Sequence, residues 1–496
     1  MAQTAAQRRV VAATSISYIV VVLDTSIVNV ALESIADGLQ TDLSGLQWVV
    51  NAYTLTFASL LLSGGTLGDR WGARRLYMAG LALFTAASAM GGVAGSLAML
   101  TAARILQGVG AAMLVPCSLT LLNHAFHDPK ERAAAIAVWA GCGGAALAAG
   151  PLAGGLLIGA FGWRSIFLAN VPIGLLGLWL TRRVAPDDRG RETRSLDVAG
   201  QTAAIVALGF FIAALIEGPT FGWSSPLILA AFGIGALSGA IFLALEARSR
   251  EPMLPLGFFR NGTFSGASFV AATTTLTTFG LIFVLSLYFQ QARGYSPFLT
   301  GLAFLPLTAV VTGSNMVSGR MMKAAGASRP VTIGLGFCIA GYLGFLPTND
   351  STPFWAMALP MIAIGIGGGL ITPAVTAALM ETVEKQRAGI AAGVLNTARQ
   401  TGSALGVAIF GALLASFQPI SMGLDAVLMT AAAVSLLAAA VWWRNAAWVE
   451  RELSRPAVVM PPGADDEEIQ NARQIPGPAE SRRGGPRRQA RRHEEK

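Results

Sequence analysis

The sequence predicts an all-α membrane protein: 14 transmembrane helices in two pseudo-symmetric six-helix halves, with two further helices inserted between the halves. Three observations predict this class: a composition too apolar for water, a regular spacing of apolar runs, and an internal repeat. Hydrophobic residues make up 53% of the 496-residue chain and charged residues only 12%. A soluble domain carries roughly 25% charged residues. So little polar surface does not cover a globule in water, and lipid is the solvent that fits.

Apolar stretches of about 18 residues or more, bounded by charge or by Pro and Gly, read as membrane helices. The first, 10–31, follows Arg8 and Arg9 as a signal peptide would, but its length, its Asp24 and the spans behind it predict that it is retained. The runs 46–64 and 76–95 flank the loop GTLGDRWGARR, and 98–122 carries Arg104. The run 132–157 contains AGCGGAALAAGPLAGG, and 165–183 ends at Arg182 and Arg183. The runs 198–217 and 226–246 are the inserted pair. Then come 263–290, 298–319, 330–347, 353–379, 388–416 with NTARQTG inside it, and 424–444.

Charge placement tests this count. With the N-terminus in the cytoplasm, 31 of the 35 Lys and Arg fall on the cytoplasmic side. Only Arg164 and Arg293 fall in external loops, while Arg104 and Arg399 lie inside spans. This is the positive-inside pattern, and it predicts that both termini are cytoplasmic.

The repeat supports the two halves. QGVGAAMLVP at 107–116 resembles IGIGGGLITP at 364–373, and GTLGDRWGARR from Gly65 resembles GRMMKAAGASR from Gly319. Arg132–Ala133 likewise matches Arg387–Ala388. Duplicated halves around a midplane site are a transporter architecture. The predicted organisation is a cytoplasmic N-terminus at 1–9, a first half at 10–183, a linker with the inserted helices at 184–262, a second half at 263–444, and a disordered cytoplasmic tail at 445–496. The tail is rich in Pro, Gly, Arg and Glu without apolar periodicity.

Asp24 is the first candidate functional residue, because an ionisable group inside a span is costly and marks function by default. The alternative is a charge simply paired within the bundle. At 1.5 Å per residue, Asp24 lies about 21 Å from the inner end of its span and Arg104 about 9 Å from the outer end of its own. In a core about 30 Å thick these depths coincide. The pair is the candidate proton-coupling site.

In the loop between the second and third spans, Gly65, Asp69, Arg70, Gly72 and Arg75 are candidates for a conformational switch, against an ordinary positive-inside turn. Asp69 is suited to a helix N-terminus. In the fifth span Cys142, Ala146, Gly150 and Gly154 form a small-residue stripe for close helix approach. Pro151 beside it is a candidate bend, with Gly155 in the same segment. Packing and hinge readings of this stretch stand side by side. Arg399 is flanked by Asn396 and Gln400 and predicts either an anion site or a structural hydrogen-bond cluster. Asn51 and Tyr53 are further cavity candidates, while Trp48 fits an interfacial aromatic belt.

Much chemistry is absent. Cys117, Cys142 and Cys338 lie in apolar runs and predict no disulfide framework. His124, His127 and His493 predict no intramembrane metal site, and no P-loop motif or HExxH occurs. The expectation is therefore no enzyme, no cofactor, no metal and no nucleic-acid partner.

These motifs together resemble the major facilitator superfamily, and within it the fourteen-helix drug:proton antiporters, over residues 10–444. GTLGDRWGARR is similar to the family's loop motif, RILQGVGAAMLVP (104–116) to its fourth-helix motif, and AAGPLAGG (148–155) to its antiporter motif. LDTSIVNVALESI (23–35) resembles the first-helix motif of the fourteen-helix group, with Glu33 where Pro is usual. GWRSIFLANVPIG, GYSPFLTGLAFLP and AGIAAGVLNTARQTGSALGVAIFG resemble further marks of that group. Ala146 departs from the antiporter motif, which usually has Gly there.

The resemblance implies that Asp24 takes up protons or recognises cations, that Arg104 assists, and that Gly65, Asp69, Arg70 and Gly72 govern the switch between access states. It implies that Gly150 and Pro151 set the bend associated with export. The expected function is proton-coupled export of amphipathic drugs or toxic molecules from a bacterial plasma membrane by a monomer whose partners are substrate, protons and lipid. A dedicated exporter of one endogenous antibiotic or metabolite is the narrower alternative. A metabolite:proton symporter and a transporter-like sensor are the others.

Overall fold

The computed structural model describes residues 4–184, 197–249, 251–349, 351–384 and 387–453. Among them every regular element is helical. The α-helices are α1 (Ala5–Val30), α2 (Leu32–Leu39), α3 (Leu43–Trp71), α4 (Ala73–Gly92), α5 (Leu97–Ala125), α6 (Pro129–Phe161), α7 (Ser165–Leu168), α8 (Asn170–Val184), α9 (Val198–Phe221) and α10 (Pro226–Arg248). They continue with α11 (Gly262–Leu287), α12 (Pro297–Ala303), α13 (Leu305–Ala325), α14 (Ser328–Phe345), α15 (Phe354–Glu381), α16 (Ala388–Ser416) and α17 (Ile420–Leu453).

Their starts are written locally. Asp42, Ser96, Asp128, Asp197, Ser225, Asn261 and Ser296 each accept a hydrogen bond from the first turn of the helix that follows. Such a cap contributes about 1 kcal/mol. Pro129, Pro226 and Pro297 open their helices, where a missing N–H costs nothing.

Among the described residues, eleven stretches are long and apolar enough to cross a membrane. The expected spans at α4, α14 and α16 are not among them. Arg74 and Arg75 occupy the first turn of α4, and Arg329 that of α14. The middle of α16 carries Asn396, Arg399 and Gln400, and its glycine faces pack on α3 and α11. Helices sheltered by protein need less apolar surface than helices bathed in lipid.

The packing pattern repeats along the chain. α5 lies against α3 and α4 as α15 lies against α13 and α14, and α1 lies on α6 as α11 lies on α16. The repeated glycines make matching contacts. A Cβ at Gly110 would meet the Gly80 carbonyl at 2.8 Å, and one at Gly367 would meet the Gly334 carbonyl at 2.5 Å. α9 packs on α10 and touches both α3 and α16. Ile212 and Ile216 of α9 cluster there with Ala404 and Ala408 of α16.

The bundle is closed at the end that carries α2. There Ser286 donates to the Asn29 carbonyl, Gln290 Nε2 to the Val30 carbonyl (3.3 Å), and Gln291 Nε2 to Glu33 (2.7 Å). Toward the opposite end, Gly141 and Gly144 of α6 and Gly313 and Gly319 of α13 face open space.

Residues Met1–Ala447 form one compact unit. α17 runs to Leu453, past the expected end of the last span at 444. The rest of the expected tail lies outside the described residues, as does most of the linker between α8 and α9.

Candidate functional site

Asp24 and Arg104 meet. α1 carries Asp24 between apolar turns, and α5 brings Arg104 to the same depth from the opposite direction. Asp24 has no exposed surface, and Arg104 is 1% exposed. The Arg104 guanidinium donates through Nη1 to Asp24 Oδ2. The same Nη1 donates to Gln107 Oε1 (2.8 Å), and Nε donates to the Val49 carbonyl of α3 (3.0 Å). Its Cζ sits 4.3 Å from the centre of the Tyr53 ring, a cation–π contact.

The other carboxylate oxygen is also held. Gln107 Nε2 donates to Asp24 Oδ1 at 3.1 Å, and Asn170 Nδ2 of α8 donates to it at 3.0 Å. Gln107 Nε2 also reaches Ser88 Oγ of α4 at 2.8 Å. Five helices (α1, α3, α4, α5 and α8) therefore meet in one network, and two of them, α5 and α8, donate to the carboxylate. Burying two charges is expensive, and their attraction offsets the cost only when the remaining lone pairs and protons are satisfied. Here Asp24 accepts three hydrogen bonds. The arrangement can hold a charge pair in the membrane, and it can be disrupted by anything that neutralises the acid or moves α1.

The glycines of AAGPLAGG on α6 pack closely against other helices. A Cβ at Gly150 would lie 1.8 Å from Ser26 Oγ, and one at Gly154 would lie 2.6 Å from Ile27 Cγ1, both on the turn of α1 that follows Asp24. A Cβ at Gly155 would lie 2.6 Å from the Pro297 carbonyl, and one at Gly301 would lie 2.3 Å from the Pro151 carbonyl. Small residues thus let α6 touch α1 and α12 together. The buried line is Gly143, Ala146, Gly150 and Gly154, whereas Cys142 is half-buried. The expected stripe is therefore off by one residue at its far end, because a strict four-residue step drifts round a helix of 3.6 residues per turn.

GTLGDRWGARR is not a loop for most of its length. Gly65 to Trp71 complete α3, and only Gly72 leaves the helix, at φ 95°, a backbone conformation that favours glycine. Asp69 and Arg70 are exposed in the last turn of α3, ahead of the turn that starts α4. Arg75 is exposed in the first turn of α4. A Cβ at Gly65 would lie 3.8 Å from Pro116, ordinary contact with α5.

The cavity candidates separate into two groups. Tyr53 belongs to the Arg104 cluster, with its hydroxyl directed at the Val21 carbonyl (3.3 Å). Asn51 is fully buried, and neither amide atom has a hydrogen-bond partner among the described residues. Arg399 lies apart, donating through Nη2 to the Thr372 carbonyl (3.1 Å) and Thr376 Oγ1 (2.7 Å) of α15. Asn396 and Gln400 share its half-buried stretch of α16. Trp48 packs at the seam between α3 and α9. Its indole N–H donates to Glu217 Oε1 of α9 at 2.8 Å.

Gln107, Asn170 and Ser88 are the site residues that sequence reasoning missed. Gln107 stands three residues after Arg104, on the same helix face, inside the stretch noted as a repeat. Asn170 stands in FLANVP. Polar side chains within apolar runs were the available signal.

A repeated bundle of long apolar helices with a satisfied ion pair at its centre is a polytopic membrane-protein architecture. Residues 14–407 match the Major Facilitator Superfamily, and the chain belongs to it. It is 38% identical over 430 residues to the methylenomycin A resistance protein of Bacillus subtilis, covering 86% of this chain and 92% of that protein. It is 37% identical over 409 residues to the multidrug resistance protein Stp of Mycobacterium tuberculosis, covering 82% and 75%. A bacterial homologue of the human lysosomal transporter Spinster, solved in an inward-facing, unoccupied conformation, shares the fold. It superposes with a TM-score of 0.64 at 17% identity, over 92% of this chain and all of that one.

Proposed function

We propose that the chain is a proton-coupled antiporter that exports amphipathic drugs or toxic small molecules by alternating access. In this reading fourteen spans cross a bacterial plasma membrane, as six-helix halves at 10–183 and 263–444 with α9 and α10 inserted, and both termini are cytoplasmic. The α2 end then faces outward, and the present state is closed to the outside. The molecule works as a monomer.

The observation that carries the reading is the position of the Asp24 cluster. The outer closure is made at Asn29 and Val30, within two turns of Asp24 on the same helix. Opening the outer end must move that part of α1, and so must act on the Asp24–Arg104 contact. A proton arriving from outside neutralises Asp24 and frees Arg104. Cargo leaving from the same state completes the exchange, because both ligands bias one two-state equilibrium. Gly65, Asp69, Arg70, Gly72 and Arg75 act at the opposite end of the bundle, where the turn at Gly72 joins α3 to α4. Gly150, Pro151, Gly154 and Gly155 permit the outer closure.

The test is proton release from acidified everted vesicles. Adding a transported compound should dissipate the pH gradient with the wild-type chain and leave it intact with Asp24→Asn. An undiminished response in that variant removes Asp24 from the coupling. A narrower reading, export of one antibiotic, is favoured by relatives named for single compounds, methylenomycin A and tetracenomycin C among them. A resistance panel that protects against a single compound would select it.

A further inference from the structure

The second intramembrane arginine is in a different condition from the first. Arg399 uses Nη2 for the Thr372 carbonyl and Thr376 Oγ1. Its Nε and Nη1 make no hydrogen bond to any described residue, and no described carboxylate pairs with it. The side chains of Asn396 and Gln400, which share its stretch of α16, likewise make no hydrogen bond to a described residue. Polar groups at mid-membrane depth that lack protein partners face a space that is not lipid.

Within electrostatic reach of Arg399 lies an aromatic pair. Tyr18 of α1 stacks on Trp139 of α6, with centroids 3.8 Å apart and planes at 17°. Gly143 makes room for it, since a Cβ there would lie 2.1 Å from the Tyr18 ring. Trp139 is 7% exposed, and its buried indole N–H has no partner among the described residues. Arg399 lies within electrostatic reach of the Tyr18 hydroxyl but does not bond to it. Gly368 on α15, one turn before Thr372, looks onto open space. The gap thus has a flat apolar wall on α1 and α6 and an uncompensated cation on α16. The free donors there are those of the guanidinium, and no described acid pairs with that cation.

We propose that this gap is a binding site for a planar organic anion, with its carboxylate or enolate on Arg399 and its ring against the Tyr18–Trp139 stack. A guanidinium with a free edge pairs with a carboxylate through parallel N–H···O bonds. The anion supplies the negative charge that no described residue brings to Arg399. Thr376 holds the guanidinium plane, so it is a positioning residue. Because the ligand touches both bundles, it also senses their relative motion. The inference depends on the export reading only in treating the bound molecule as cargo.

The test is equilibrium binding to the purified full-length protein in lipid nanodiscs, with no gradient present. Fluorescence anisotropy would follow carboxyfluorescein as the planar anion and ethidium as a planar cation. The wild type should bind carboxyfluorescein. Arg399→Gln should weaken that binding at least tenfold and leave ethidium within twofold or tighter. Arg399→Lys should recover part of the loss, as charge returns without the fork. Thr376→Val keeps the charge and should cost a few-fold. Thermal unfolding of each variant separates misfolding from lost recognition. Carboxyfluorescein that fails to bind the wild type, or an Arg399→Gln protein of unchanged melting temperature that loses both dyes equally or neither, overturns the proposal. Failure of Asp24→Asn to abolish proton release would sink the coupling scheme and leave this binding result standing.

Discussion

The two arginines inside the membrane make an instructive pair. Arg104 is buried, bonded to Asp24, Gln107 and the Val49 carbonyl, and stacked on Tyr53. Arg399 is half-buried, bonded on one edge to a carbonyl and a hydroxyl, and pairs with no acid among the described residues. Both are expensive residues at such depth. One has its compensation built into the protein. The other is compensated only in part, and the remainder must come from water or a ligand. A satisfied buried charge belongs to the resting architecture, and an unsatisfied one marks where the architecture is meant to be completed.

The sharpest way to break this contrast is Arg104→Gln. Removing one member of a buried pair leaves Asp24 uncompensated and costs about 3–5 kcal/mol. Thermal unfolding should drop markedly and transport should vanish. The same substitution at Arg399 should change stability by less than about 1 kcal/mol, since it breaks two hydrogen bonds beside an open space where water substitutes. Equal destabilisation by the two variants would erase the distinction.

Next in size is closure at the α2 end. Gly301→Val places a branched side chain against the Pro151 carbonyl, where even a Cβ would approach to 2.3 Å. The variant should favour the state open at that end, read as stronger labelling by a membrane-impermeant maleimide of a cysteine placed at Asn29. The Asp24 neighbours come third. Asn170→Ala removes one hydrogen bond to a charged acceptor, an effect of about 1.5–3 kcal/mol. It should slow transport without abolishing it. The smallest effect is expected at the seam with α9. Trp48→Phe deletes the bond to Glu217, a partly exposed contact expected to contribute about 1 kcal/mol. Transport should stay within twofold.

Legibility followed the range of the physics. The runs read as spans appear as helices, because apolar length and capping residues are local. The turn at Gly72 falls inside the loop expected at 65–75, but the helical approach from Gly65 was not foreseen, because the same glycines suit a loop or a tight helix crossing. Cys142 was assigned to the wrong side of its helix by a spacing argument that one turn of drift defeats. The depth match between Asp24 and Arg104 was computable from helical rise, and the contact itself was not.

The sequence by itself determined that the chain is helical and lives in lipid, which stretches repeat, and which few residues are too polar to be there without a reason. These are properties of composition and of periods shorter than one helix. Only the tertiary structure decided what the polar residues meet. Gln107 and Asn170 hold Asp24, Trp48 finds Glu217, and Arg399 is left with an open edge. Such partners lie on different helices, from tens to well over a hundred residues apart along the chain. No local pattern encodes which helix becomes the neighbour of which.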